Sequence, residues 1–138
     1  MSENNTLYII LDTNFLLVPF QFRVNLKSKF DELIDRKYEI VILEDVYNEL
    51  LKIYEKARGR RKQEISAAIK YYKTKELAKN FKKKDDEDVD DFLIRIARNK
   101  NYIVATNDKS LKKRLKEQGS NFIYLRQKAF FKSYRPLD

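Results

Sequence analysis

Four carboxylates spread along the chain, Asp12, Glu49, Asp90 and Asp108, each fall at the end or in the first turn of an expected element, beside apolar residues that a fold would bury. A carboxylate next to a core is unfavourable unless something positive meets it, and a divalent cation is the simplest counter-charge. The rest of the composition narrows what such a site can do. The chain has no histidine and no cysteine, which removes imidazole bases, thiolate nucleophiles, disulfides and His or Cys zinc sites. Asp, Glu, Lys, Tyr, Ser and Thr remain, together with any metal held through oxygen, and Mg2+ and Mn2+ are hard cations that prefer such ligands. Carboxylates gathered in one place repel each other, so at least one should titrate above its ordinary range.

Each acid also has an ordinary explanation. Asp12 and Asp108 suit helix caps. Glu49 suits a solvated helix face, and Asp90 lies in the acidic run 85–91, which reads as a wet helix start with acids at the positive end of the dipole. The joint pattern favours a site, because the caps follow strands and the helical acids adjoin apolar faces.

The elements that must position these residues alternate between strand and helix periods. Leu7 to Leu11 is an apolar run stopped by Asp12-Thr13-Asn14, a strand handing over to a loop. A helix follows from Lys27 to Arg36, then a strand from Glu39 to Leu43. Glu44 or Asp45 can cap the next helix, with Val46, Leu50, Ile53 and Ala57 on one face. The basic stretch Arg58-Gly59-Arg60-Arg61-Lys62 reads as a break before a helix over 63–81. The acidic run opens a helix above Phe92, Leu93, Ile96 and Ala97. Tyr102 to Ala105 is a third strand, Lys109 to Gln118 a helix closed by Gly119, and Phe122 to Leu125 a fourth strand.

Strands joined by helical crossovers predict an α/β fold, a three-layer α/β/α arrangement around a central parallel sheet of about four to five strands. In such sheets sites lie beyond the carboxyl ends of the strands. Asp12 follows the first strand and Asp108 the third, while Glu49 and Asp90 can lean over the same crevice. The 138 residues are one domain's worth, read as 1–127 followed by a mobile or docked tail, 128–138. No apolar run is long enough to span a membrane and no signal-peptide pattern appears, so a cytoplasmic location is expected.

A formal charge of +9 despite the acidic run means that basic residues dominate another face, and a polyanion, nucleic acid first, is the natural partner. Arg58, Arg60, Arg61, Lys62, Lys83, Lys109, Lys112 and Lys113 are the candidates to flank the crevice. Nine Phe and nine Tyr also invite base stacking. Phe92 and Phe122 read as core, whereas Tyr71, Tyr72, Phe130, Phe131 and Tyr134 are open to either role.

Leu11-Asp12-Thr13-Asn14, Val46-Tyr47-Asn48-Glu49-Leu50, Asp90 with Leu93, Ile94 and Ala97, and Ala105-Thr106-Asn107-Asp108-Lys109-Ser110-Leu111 resemble, in this order, the PIN-domain nucleases. The resemblance covers nearly the whole chain. Each motif alone is weak, and the ordered set is strong. Tyr124-Leu125-Arg126, after a Lys- and Arg-rich helix, is most similar to the archaeal and eukaryotic branch associated with ribosomal RNA processing. The toxin branch of toxin–antitoxin pairs is a second reading, and a non-catalytic RNA-binding assembly module of the same fold a third.

The resemblance implies a metal-dependent endoribonuclease using one or two Mg2+ or Mn2+ ions and leaving a 5′-phosphate and a 3′-hydroxyl. Asp12 and Asp108 become principal metal ligands, Asp90 completes the cluster, and Glu49 binds metal or orients water, with Asn14 and Thr106 as supporting groups. Helical phase puts Asp90 with Leu93, Ile94 and Ala97, but Asp91 with Ile94, Arg95 and Arg98. Asp90 is therefore the first choice, Asp91 the alternate and Asp88 a weaker one. RNA is the implied partner, with a pre-ribosomal particle or an antitoxin protein beside it. A homodimer built on the 63–81 helix is an open alternative.

Overall fold

Strand β1 (Leu7–Leu11) is an inner strand of a five-stranded sheet, second from one edge, and Ile9, Ile10 and Leu11 are fully buried. A strand covered on both faces reads as a continuous apolar run rather than an alternating one. In the computed structural model, which describes residues 5–137, the remaining strands are β2 (Tyr38–Val41), β3 (Tyr102–Ala105), β4 (Phe122–Arg126) and β5 (Phe130–Ser133). Their order is β2-β1-β3-β4-β5, with β5 alone antiparallel, against β4. Six helices cover the sheet: α1 (Val18–Phe22), α2 (Leu26–Leu33), α3 (Glu44–Lys56), α4 (Gly59–Lys73), α5 (Val89–Ile96) and α6 (Lys109–Glu117). The result is a three-layer α/β/α fold.

Chain progression reverses direction across the sheet between β1 and β3. The β1 connection leads outward to β2 on one side, and the later strands follow on the other. That switch point leaves a crevice at the carboxyl ends of β1 and β3. Leu11 lies beside Ala105 in the register, and the Asp12 amide donates to the Ala105 carbonyl (3.0 Å), so the two loops that leave these strands start side by side.

Several boundaries differ from expectation for local reasons. Phe15–Leu17 forms a 3-10 turn that continues into α1, a stretch without a helical apolar period because its residues from Phe15 to Val18 are all buried. Glu44 and Asp45 lie in the first turn of α3 rather than capping it, and Asp45 instead accepts the Lys83 amide (3.2 Å). The helix expected over 63–81 runs from Gly59 to Lys73. Gly59, with a positive φ of 63°, turns the chain into that helix, so Arg60, Arg61 and Lys62 sit in its first turn. Beyond Thr74 the chain leaves the helix to extend the sheet edge: Ala78 bridges Leu43, its amide donating to the Ile42 carbonyl (2.8 Å).

Of the two readings of the tail, the structure shows it docked. Gln127 and Lys128, both with positive φ, turn the chain back so that β5 pairs with β4. Phe131 is buried, its ring edge-on to Phe15 (5.1 Å) and Phe30 (4.8 Å). Among the described residues no helix is long and apolar enough to cross a membrane.

Candidate active site: an acidic cleft at the carboxyl ends of the strands

Asp12 is the first residue after β1 and is only 5% exposed. It is held by two donors: the Thr13 amide reaches Oδ1 (2.7 Å) and the Thr106 hydroxyl reaches Oδ2 (2.7 Å). Thr106, fully buried, also accepts the Asp108 amide on its hydroxyl oxygen (3.0 Å). One threonine therefore joins the acids that follow β1 and β3. Asp108 caps α6, its Oδ1 accepting the Leu111 amide (2.8 Å), and Asn107 between them accepts the Leu125 amide (2.8 Å).

These acids line a cleft of about 280 Å3 with Glu49 and Asp90, and with Thr13, Asn14, Ile53, Asp88 and Val89. Asp90 comes from the first turn of α5 and Glu49 from the second turn of α3. Four segments that are remote in sequence thus meet in one place. They line the cleft without closing into a tight shell: among the described residues no three acids gather closely enough to enclose an ion.

The neighbouring acids have other duties. Asp88 caps α5 by accepting the Asp91 amide (2.8 Å), and Asp91 returns the contact to the Asp88 amide (3.4 Å). Such a capping box uses both carboxylates locally. Asp91 also accepts Arg114 of α6 (2.9 Å) and is drawn below the usual carboxylate range by that guanidinium. Asp90 points to the cleft instead. No hydrogen bond to its carboxylate, or to that of Glu49, comes from the described residues.

Electrostatics follow from this layout. Burial pushes Asp12 up to about 6; its two hydrogen bonds oppose the rise, and the charges of Asp90 and Asp108 add to it. Asp90 is also raised, first by burial and then by Asp108 and Asp88, with Arg114 pulling the other way. A site whose ionised carboxylates are mutually unfavourable gains from a cation. The donor set, all oxygen and without His or Cys, matches a hard divalent ion.

The basic candidates are elsewhere. No Lys or Arg lines the acidic cleft among the described residues. Arg58, Arg61, Lys109 and Lys113 are exposed, and Lys109 directly follows Asp108. Arg60 stands 4.0 Å from Glu64, and Lys62 lies over the Tyr54 ring (4.5 Å). Lys112 lies over the Tyr124 ring (5.4 Å), and Lys83 donates to the carbonyls of Glu87 (2.9 Å) and Lys84 (3.3 Å). Of the ambiguous aromatics, Tyr72 and Phe131 are buried, and the Tyr72 hydroxyl donates to the Leu16 carbonyl (2.7 Å). Tyr71, Phe130 and Tyr134 are exposed.

Sequence reasoning did not find Thr13, Ile53 and Val89 in the cleft wall, nor Arg114 as the partner that turns Asp91 aside. Thr13 and Val89 adjoin the acids in sequence and Ile53 lies one helical turn beyond Glu49, so proximity could have suggested them. Nothing local links Arg114 to Asp91.

The model of the family described as PIN like domain matches residues 9–128. Ribonuclease VapC4 of Methanocaldococcus jannaschii is 33% identical over 132 residues, a match covering 91% of this chain and 95% of that protein. The solved structure of the PIN domain endonuclease Utp24 superposes with a TM-score of 0.71 at 25% identity, over 95% of this chain and 93% of that one.

Proposed function

We propose that this chain, which belongs to the PIN-like domain family, is a metal-dependent endoribonuclease. The observation that carries the reading is the convergence of Asp12, Glu49, Asp90 and Asp108 on one cleft at the switch point. The likeness to a protein named as a ribonuclease, over nearly the full length of both chains, supports RNA as the substrate class.

Asp12, Asp90 and Asp108, which line the cleft without enclosing an ion, would supply part of the oxygen shell of Mg2+ or Mn2+, with water filling the rest and Glu49 beside them. When bound, the ion offsets negative charge on a phosphodiester and acidifies a water for attack. The chain's own residues do the remaining work. The Thr106 hydroxyl and the Thr13 amide fix both oxygens of Asp12, leaving its outer lone pairs to face the cleft. Asp108 spends Oδ1 on the α6 cap, which leaves Oδ2 for the cleft. Glu49 and Asp90, without protein donors from the described residues, can accept a proton from water or orient it. Asn14, exposed on the rim, has an amide that can donate to a phosphate oxygen.

Two placements of this activity remain. The sequence motifs resemble the branch that processes ribosomal RNA, and the likeness to the endonuclease Utp24 accords with it. The toxin-type ribonuclease, restrained by an antitoxin, is favoured by the higher identity to Ribonuclease VapC4, 33% against 25%. Cleavage of labelled RNA with Mn2+, beside EDTA and an Asp12→Asn protein, tests the activity; cutting that persists in both controls overturns the metal-site reading. Induced expression in a bacterium, with and without a candidate antitoxin encoded beside it, tests the placements: Asp12-dependent growth arrest relieved by the antitoxin supports the toxin reading, and growth unaffected by the active chain overturns it.

A further inference from the structure

A larger cavity, about 720 Å3, opens at the other end of the sheet, beside the amino ends of β1, β3 and β4. Among the described residues its wall carries Arg36, Arg98, Lys100 and Arg135 and no Asp or Glu. Basic residues at helix C-termini often serve the last carbonyls, but here those carbonyls are taken. Gln118 donates to the Ile94 carbonyl (2.9 Å), Ser120 to Ala97 (3.1 Å) and Arg135 to Gly119 (2.5 Å). Arg98 and Lys100 are exposed and form no ion pair with the described residues. Arg135 is held in place by Asn121, whose Oδ1 accepts its amide (2.7 Å) and whose Nδ2 donates to its carbonyl (2.9 Å). The wall is therefore positively charged: the Arg135 guanidinium is anchored on the Gly119 carbonyl and that of Arg36 on the Asn5 carbonyl, whereas Arg98 and Lys100 leave their charge without a salt-bridge partner among the described residues.

Helix α6 connects this cavity to the acidic cleft. Asp108 caps one end of α6, and Gln118 and Gly119 at the other end line the cavity. Lys109, Lys112 and Lys116 share one side of the helix by spacing. Lys112 lies over Tyr124 (5.4 Å) and Lys116 over Tyr134 (5.2 Å). Nine residues of helix span about 14 Å, so a strand leaving the cleft along this face passes lysines throughout.

We propose that the basic cavity takes backbone phosphates of an RNA strand several nucleotides from the scissile bond, which makes the substrate an RNA with a single-stranded flank. The proposal rests on the ribonuclease reading above. Its ligand is the phosphodiester anion, recognised by charge and therefore independent of base sequence.

The experiment compares Arg98→Ala/Lys100→Ala with the parent chain, both carrying Asp12→Asn so that RNA is not consumed, on single-stranded RNAs of about 5 and about 16 nucleotides. The long RNA should bind roughly 10-fold more weakly to the variant, with its salt slope reduced by about 1.4 for two lost phosphate contacts. The short RNA should bind equally to both. With Asp12 restored, both proteins should cleave the short RNA at the same rate, and matching thermal melts exclude a folding defect. Equal effects on both RNAs, or none on either, overturn the cavity's role while leaving the ribonuclease reading intact. Competition by inorganic phosphate without any length effect overturns it as well, by assigning the cavity to a small anion. A parent chain that binds neither RNA removes the ribonuclease reading and the cavity with it.

Discussion

The hydroxyl of Thr106 lies 2.7 Å from Asp12 Oδ2, a contact made across the sheet between loops that follow different strands. Because the same oxygen accepts the Asp108 amide, the threonine sets the spacing of two cleft acids without facing the cleft itself. Removing the hydroxyl while keeping the shape should therefore damage the site more than the fold. Thr106→Val is expected to lower the cleavage rate by about 10- to 100-fold, with a stability loss of about 1–3 kcal/mol from the stranded Asp108 amide. Thr106→Ser should recover most of the activity. Rates and thermal melts on the three proteins check this, and a fully active Thr106→Val would remove the positioning role.

Asp12 makes stability depend on pH and on metal together. Its folded pKa, about 6, lies above the ordinary 3.8, so the folded state holds this proton more tightly than the unfolded chain does. The resulting stabilisation is fully present below pH 3.8, declines as pH rises through about 6, and is absent above it. That window is worth about 3 kcal/mol for a group this buried. In EDTA, Asp12→Asn should therefore melt higher than the parent at pH 7.5, with the difference shrinking toward pH 4. Mn2+ should raise the melting temperature of the parent at pH 7.5 and leave that of Asp12→Asn nearly unchanged.

The adjacent acids of α5 should separate cleanly. Asp90→Asn removes a raised carboxylate without breaking a protein hydrogen bond from the described residues, so activity should fall by at least about 100-fold, as for loss of a metal or water ligand, with stability kept or slightly increased. Asp91→Asn weakens the capping box and the Arg114 contact. It should lower stability by about 1 kcal/mol and activity far less. Parallel melts and single-turnover rates decide; the opposite order would transfer the site role to Asp91.

The docked C-terminal strand should be indispensable. Phe131 is 5% exposed against Phe15 and Phe30, and Phe131→Ala should cost about 3–5 kcal/mol. Phe15 donates its amide to the Asp12 carbonyl (3.0 Å), so the lost packing also loosens the turn that presents Asp12. Denaturant unfolding of Phe131→Ala should show the loss, and a stability equal to the parent's would mean that β5 does not support the cleft.

Much of this molecule was legible locally. The continuous apolar runs of β1 and β3 mark buried parallel strands, because a strand covered on both faces has no alternation to show. Asp108 was legible as a cap, since capping is a contact within three residues. Where neighbouring chemistry competed, local reading gave out. The period of Ile65, Ala68, Ile69 and Tyr72 does not reveal that the chain beyond Thr74 is drawn to the sheet edge by Ile42. The tail has too short an apolar pattern to declare itself a strand before β4 offers its edge.

The sequence by itself determined the chemistry available: oxygen donors only, acids at strand ends, and an excess of positive charge looking for a polyanion. Only the tertiary structure decided which of those groups act together. Asp91 is withdrawn by an arginine 23 positions away, Asp12 and Asp108 share a threonine across the sheet, and the lysine- and arginine-lined cavity arises where the amino ends of separate strands meet. Propensity and capping act over a few residues, whereas charge pairing and burial depend on distance in space, which the order of residues does not state.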